Sequence, residues 1–152
     1  MDSLENSNAI YHHALDKAKG VYHHLGEIFQ AINEDYFENS IEAKIRWSSC
    51  TSSARKRSIT LGTYQAQTRL IRIHPALDQA FVPRFCIEHI VHHEMLHQKF
   101  PTKRQGRRLV HHSKEFLEAE RYFLYAQEAD RWLKDNLCRI LKFKPLLNQL
   151  FF

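Results

Sequence analysis

One short run, His93-Glu94-Met95-Leu96-His97, constrains this chain more than any other feature. It lies in a segment with helical apolar spacing, where residues i and i+4 project from one face. Two imidazoles so placed can share one metal ion, in a geometry that suits tetrahedral zinc. Glu94 follows the first of them and can reach a metal-bound water without being a ligand. Two His ligands and a Glu general base on one helix is the arrangement of a metalloprotease. Cys86, Ile90, His93 and His97 fall on one stripe of the helix, so the pair faces inward among apolar residues. Three polar side chains buried there without compensation would be costly. The plainer alternative is a His-rich helix with satisfied or exposed imidazoles, and the 11 histidines of the chain give it some weight.

A catalytic zinc keeps three protein ligands and one position for water, so a third ligand must come from outside the helix. His112 is the preferred candidate and its neighbour His111 the rival; both follow a loop long enough to swing back over the pair. Glu115 or Glu118 would instead complete a His₂Glu site. His89 lies one turn before His93, and three imidazoles in a row along one helix cannot all reach one ion. His89 is therefore expected as a neighbour, and His92, pointing away, as structural or exposed. His12, His13, His23 and His24 are expected at the surface.

Along the chain, Ala9 to Phe37 has the apolar spacing of an amphipathic helix. Ile41–Trp47, Arg57–Tyr64 and Arg69–His74 alternate as half-buried strands, the last two joined by a hairpin loop. A short turn or helix is expected around Pro75–Asp78, and Pro83 suits the first turn of the motif helix. After Pro101 comes a basic loop with Gly106 as a hinge. Ser113 is a plausible N-cap for the next helix, running through Phe116, Leu117, Ala119, Phe123 and Leu124. A final helix spans about Ala129 to Phe143, and an apolar tail runs from Leu146 to Phe152. The expected fold is α+β: an N-terminal helix, a three-stranded, mainly antiparallel sheet, the motif helix and C-terminal helices.

The chain has 152 residues, 43% of them hydrophobic, which suits a single globular domain with its core at about residues 9–143. Cys50, Cys86 and Cys138 are too few and too scattered for a disulfide framework or a Cys₄ zinc site, and a reducing cytoplasm is expected. The polar start, Met1 to Ser7, has no signal-peptide character, and no apolar run approaches a membrane span.

His93-Glu-Met-Leu-His97 followed by His112-Ser-Lys-Glu-Phe116 resembles the SprT-like zinc metalloprotease family, whose HExxH helix is followed by a His-x-x-x-Phe element. Ile32-Asn33 with Tyr36-Phe37, Ile45-Arg-Trp47, Leu61-Gly-Thr-Tyr64 and Ile71-Arg-Ile73 agree with it, and the likeness covers roughly Leu25 to Glu120. It implies a minimal zincin-like fold, His93, His97 and His112 as ligands of one Zn²⁺ per chain, and Glu94 as catalytic base. Ser113 stands where the family often has glycine. The cysteine-rich ribbon of some members has no counterpart, since only Cys138 lies in that region.

The implied reaction is hydrolysis of peptide bonds in protein substrates by a zinc-bound water that Glu94 deprotonates. Tyr64, His111 and arginines are candidates for stabilising the oxyanion. From Gln98 through Lys114 there are six Lys or Arg and no acidic residue, including Lys103, Arg104, Arg107 and Arg108; Arg55, Lys56 and Arg57 form a second basic cluster near Trp47. Such a run is commonly a solvated loop. This one joins the second and third candidate ligands, and with an aromatic neighbour it suits single-stranded DNA. Relatives in the family are DNA-dependent proteases acting on proteins crosslinked to DNA, which implies single-stranded or damaged DNA as a partner. A zinc-stabilised nucleic-acid-binding module with little or no catalysis is the main alternative. A His₃ endoribonuclease fits less well, because the next histidine after His97 is His111.

Overall fold

The computed structural model describes residues 17–49 and 59–142. Helix α1 spans Leu25–Phe37, and its buried stripe of Leu25, Ile28, Ile32 and Phe37 follows helical spacing. The expected helix from Ala9 is not continuous. The Asp78 carboxylate accepts hydrogen bonds from the backbone N–H groups of Val21, Tyr22 and His23, at 2.7, 2.9 and 3.0 Å. Those donors are thereby turned away from any helix ladder. His24 then caps α1, its Nδ1 accepting from the N–H of Gly26 and Glu27. His23 meets the Gln79 carbonyl through Nε2. Both histidines are half-buried structural groups rather than plain surface residues. Residues 9–16, with His12 and His13, lie outside the described residues.

At the other end of α1, Glu38 and Asn39 adopt positive φ. The buried Asn33 amide closes this turn: its Nδ2 donates to the Ile41 carbonyl and its Oδ1 accepts from the Ile41 N–H. That turn delivers the chain into β1, Lys44–Trp47. Strands β2, Gly62–Gln65, and β3, Leu70–Ile73, form the expected hairpin. In the sheet β3 is central, with Ile71 and Ile73 fully buried. The β1–β3 pairing is parallel, matching Ile45 with Ile71, so the sheet is mixed rather than mainly antiparallel. Alternating side chains report a strand but not its direction. Here β2 returns on the far side of β3, and the parallel pair needs no crossover helix.

A 3₁₀ turn, Pro75–Leu77, is capped by His74. Pro83 stands at the N-cap, one position earlier than expected, of α2, Arg84–Lys99. Helix α2 is the axis of the fold. Cys86, Ile87, Val91, Met95 and Leu96 are buried on several of its sides, against α1, the sheet and the C-terminal helices. The segment after Pro101 is not a loop but an antiparallel hairpin, β4 (Lys103–Gln105) and β5 (Arg108–Val110), turned by Gly106 at φ 60°. Helix α3, Lys114–Arg121, starts at Ser113, whose Oγ accepts from the Phe116 N–H. It stops before Phe123, and a separate helix α4 spans Ala126–Leu141. Among the described residues no helix is long and apolar enough to cross a membrane. Residues 143–152, including the expected apolar tail, lie outside them.

Candidate metal centre

Helix α2 presents His93 and His97 one turn apart, and the stretch between β5 and α3 brings in His112. The Ser113 cap fixes where α3 begins, and so holds the preceding His112 against the α2 face. One nitrogen of each imidazole lies within 4.8 Å of the others. Ring centroids are 5.1 Å apart for His93–His97, 5.0 Å for His93–His112 and 5.1 Å for His97–His112, a nearly equilateral triangle. Tetrahedral zinc at ordinary bond lengths sets its ligand nitrogens about 3.4 Å apart, so a small closing-in of this triangle satisfies one ion. The fully buried Phe116 lies against all three rings at 4.8 to 5.1 Å and supplies an apolar backing. His112 is exposed while His93 and His97 are half-buried, so one side of the triangle opens to solvent.

The charge balance suits a cation. Burial lowers the pKa of His97 to about 4, helped by the neighbouring His93, His112 and His111. Burial and His93 also lower that of His112. Both imidazoles are thus held neutral, the form that ligates metal. Burial pulls His93 down too, but its hydrogen bond to Glu120 and the charges of Glu94, Glu120 and Asp130 outweigh that and raise it. His93 Nδ1 meets Glu120 Oε1 at 2.5 Å.

Glu94 is buried beside the triangle and is not one of the three clustered groups that could hold a metal ion. In the metal-free protein, burial raises its carboxyl to about 7, partly offset by His93. Space for it comes from β2: a Cβ added at Gly62 would stand 2.9 Å from Glu94 Oε1 and 2.7 Å from Ile90 Cγ2. Gly62 therefore lies against the Glu94 side chain. Gln98, next to His97, donates through Nε2 to the Glu42 carbonyl and the Tyr64 hydroxyl and accepts from the Glu42 N–H. This clamp ties the end of α2 to the edge of the sheet.

The other expected residues sort clearly. His111 turns aside to Thr102 Oγ1 at 3.0 Å and is outside the triangle. Glu115 and Glu118 point to solvent, Glu118 near Lys114. His89 is buried, with Nε2 on Asp130 Oδ1 at 2.9 Å. His92 is buried among Tyr36, Phe37 and Phe123, and its pKa is lowered to about 4, chiefly by burial. Lys103, Arg104, Arg107 and Arg108 are all exposed on the hairpin. Arg55, Lys56 and Arg57 lie outside the described residues.

Sequence reasoning missed two participants. Glu120 was legible in principle, because His112, Phe116 and Glu120 recur at four-residue spacing. Gly62 was too, as a glycine inside an alternating strand, which often marks a close approach.

The sequence profile of the SprT-like family matches residues 25–129, from the start of α1 into α4 and across the whole triangle. Among curated protein sequences none matches the chain.

Proposed function

The chain belongs to the SprT-like family, of metallopeptidase character, and from that premise we propose that it is a zinc-dependent endopeptidase. His93, His97 and His112 would hold the ion, and Glu94 would act as general base. The observation that carries this reading is the cluster of three imidazoles, two of them on α2, beside one buried carboxylate of the same helix that lies outside the cluster. A purely structural zinc site has no use for such a carboxylate and usually fills all four positions.

Zinc in a three-His site supplies Lewis acidity and an acidified water. The remaining work falls to the chain. Glu94, desolvated in the metal-free protein and close in pKa to neutrality, takes the proton of the attacking water and returns it to the leaving amine. Among the described residues strand β2 is at an edge of the sheet, and Gly62 brings it against Glu94. An extended peptide added to that edge would lie along the site, held by main-chain hydrogen bonds. The exposed His112 side leaves room for the scissile bond.

The four exposed cations of the β4–β5 hairpin support association with single-stranded or damaged DNA, and hence action on DNA-bound or DNA-crosslinked proteins. The hairpin leads directly into His112, so a strand held there lies beside the site.

The test is zinc content and protein cleavage for wild type and Glu94→Gln, each with and without single-stranded DNA. One zinc per chain in both, with DNA-stimulated cleavage only in wild type, is expected. Full hydrolysis by zinc-loaded Glu94→Gln would overturn the base assignment. Zinc and DNA binding without cleavage under any condition would replace the protease by a binding module.

A further inference from the structure

We propose that Glu120 is a positioning residue of the metal centre, fixing through His93 which imidazole nitrogen faces the ion. This rests on the zinc-site reading above. An ionised carboxylate only accepts hydrogen bonds. Its approach to His93 Nδ1 at 2.5 Å therefore places the ring proton on Nδ1, which leaves Nε2 with the lone pair for an ion shared with His97 and His112. The ring is oriented at the same time, since Nδ1 is tied and the Phe116 ring packs against it at 5.1 Å.

Helix α3 thus serves the site from both ends. Its cap region carries His112, its first turn carries Phe116, and one turn further Glu120 returns to His93. Both groups of the pair are half-buried, where a charge-assisted hydrogen bond is screened less than at the surface. Carboxylates that hydrogen-bond to a ligating histidine characteristically raise its basicity and lock its tautomer.

The same helix contains an internal comparison. One turn before His93, His89 makes a like hydrogen bond with Asp130 at 2.9 Å. Asp130 is largely exposed and comes from α4, and His89 is not in the ligand cluster. Removing Asp130 takes an imidazole–carboxylate pair away from α2 while leaving the triangle intact. A role confined to holding helices together predicts similar behaviour at the two sites. A positioning role predicts that only Glu120 affects the metal.

The experiment is zinc affinity of the full chain, by competition with a chromophoric chelator, together with thermal unfolding of each metal-free protein. Glu120→Ala is expected to weaken zinc 10- to 100-fold, Glu120→Gln less, because its carbonyl still accepts from Nδ1. Asp130→Ala should change affinity less than about twofold. Unaltered affinity in Glu120→Ala, or a weakening matched by Asp130→Ala, would overturn the proposal. If Glu120→Ala does not fold, Glu120→Gln decides it: zinc bound as tightly as by wild type overturns it. A wild type that takes up no zinc would overturn both this and the metal-centre reading. Zinc bound by wild type, lost in His97→Ala and unaffected in both Glu120 variants would overturn this one alone.

Discussion

Gly62 and Glu94 occupy adjoining space so tightly that a single methyl group on the strand would reach the carboxylate, at 2.9 Å from Oε1. The strand and the general-base candidate are therefore fitted to each other, although they are far apart in the sequence.

Gly62→Ala should bind zinc normally and cleave poorly. The added Cβ also meets Ile90 Cγ2 at 2.7 Å, and overpacking of this kind costs about 1–3 kcal/mol. Displacing a catalytic group by an ångström can cost on the order of 100-fold in rate. Steady-state cleavage alongside zinc content checks this, and wild-type turnover in the alanine variant would show that the fit is not critical.

Metal removal should loosen the whole assembly, because the three imidazoles come from two separate parts of the chain. Zinc at a hundred times its dissociation constant stabilises the folded state by about 2.7 kcal/mol, or roughly 5–10 °C in melting temperature for a protein this size. Thermal unfolding in excess zinc and in chelator measures it. In His112→Ala the difference should shrink sharply.

Acid should weaken the metal-free protein through His92. Its pKa falls from 6.5 to about 4 on folding, mainly from burial, so folding disfavours its protonated form. The stability is fully present above pH 6.5 and is lost as pH falls towards 4. At pH 5 the loss is about 2 kcal/mol. Denaturant titrations at pH 7.5 and 5 test it, and His92→Phe should remove that part of the pH dependence.

Neutralising Lys103, Arg104, Arg107 and Arg108 should flatten the salt dependence of single-stranded DNA binding. For every phosphate no longer neutralised, the slope of log affinity against log salt should become shallower by about 0.7. Binding isotherms at several salt concentrations give the slope. If it stays unchanged, the hairpin is not part of the interface.

The sequence was most informative where a local period coincided with burial. Cys86, Ile90, His93 and His97 share one stripe, and α2 was readable from them. The hairpin was not, because Lys103 to Leu109 is exposed on both faces and has no alternation to detect; Gly106 was its one sign. The start of α1 depends on Asp78, a remote residue that recruits three backbone donors, and no local window contains both. The direction of β1 depends on where β2 returns, which is a property of the path and not of any strand. Glu120 does not stand out in the sequence, because a lone carboxylate in a charged helix suggests surface until the four-residue spacing from His112 is followed.

The exposure of the β4–β5 hairpin has a bearing on how such a protein can change. Nothing from Pro101 to Leu109 is held by the core, while Phe100 and Phe116 fix the two ends against it. Length and charge in this cassette can drift without disturbing the histidine triangle, provided that His112 still arrives at its place. Substitutions there would alter the surface the hairpin presents before they alter whether the chain folds, so related chains can diverge at this surface while keeping one histidine cluster.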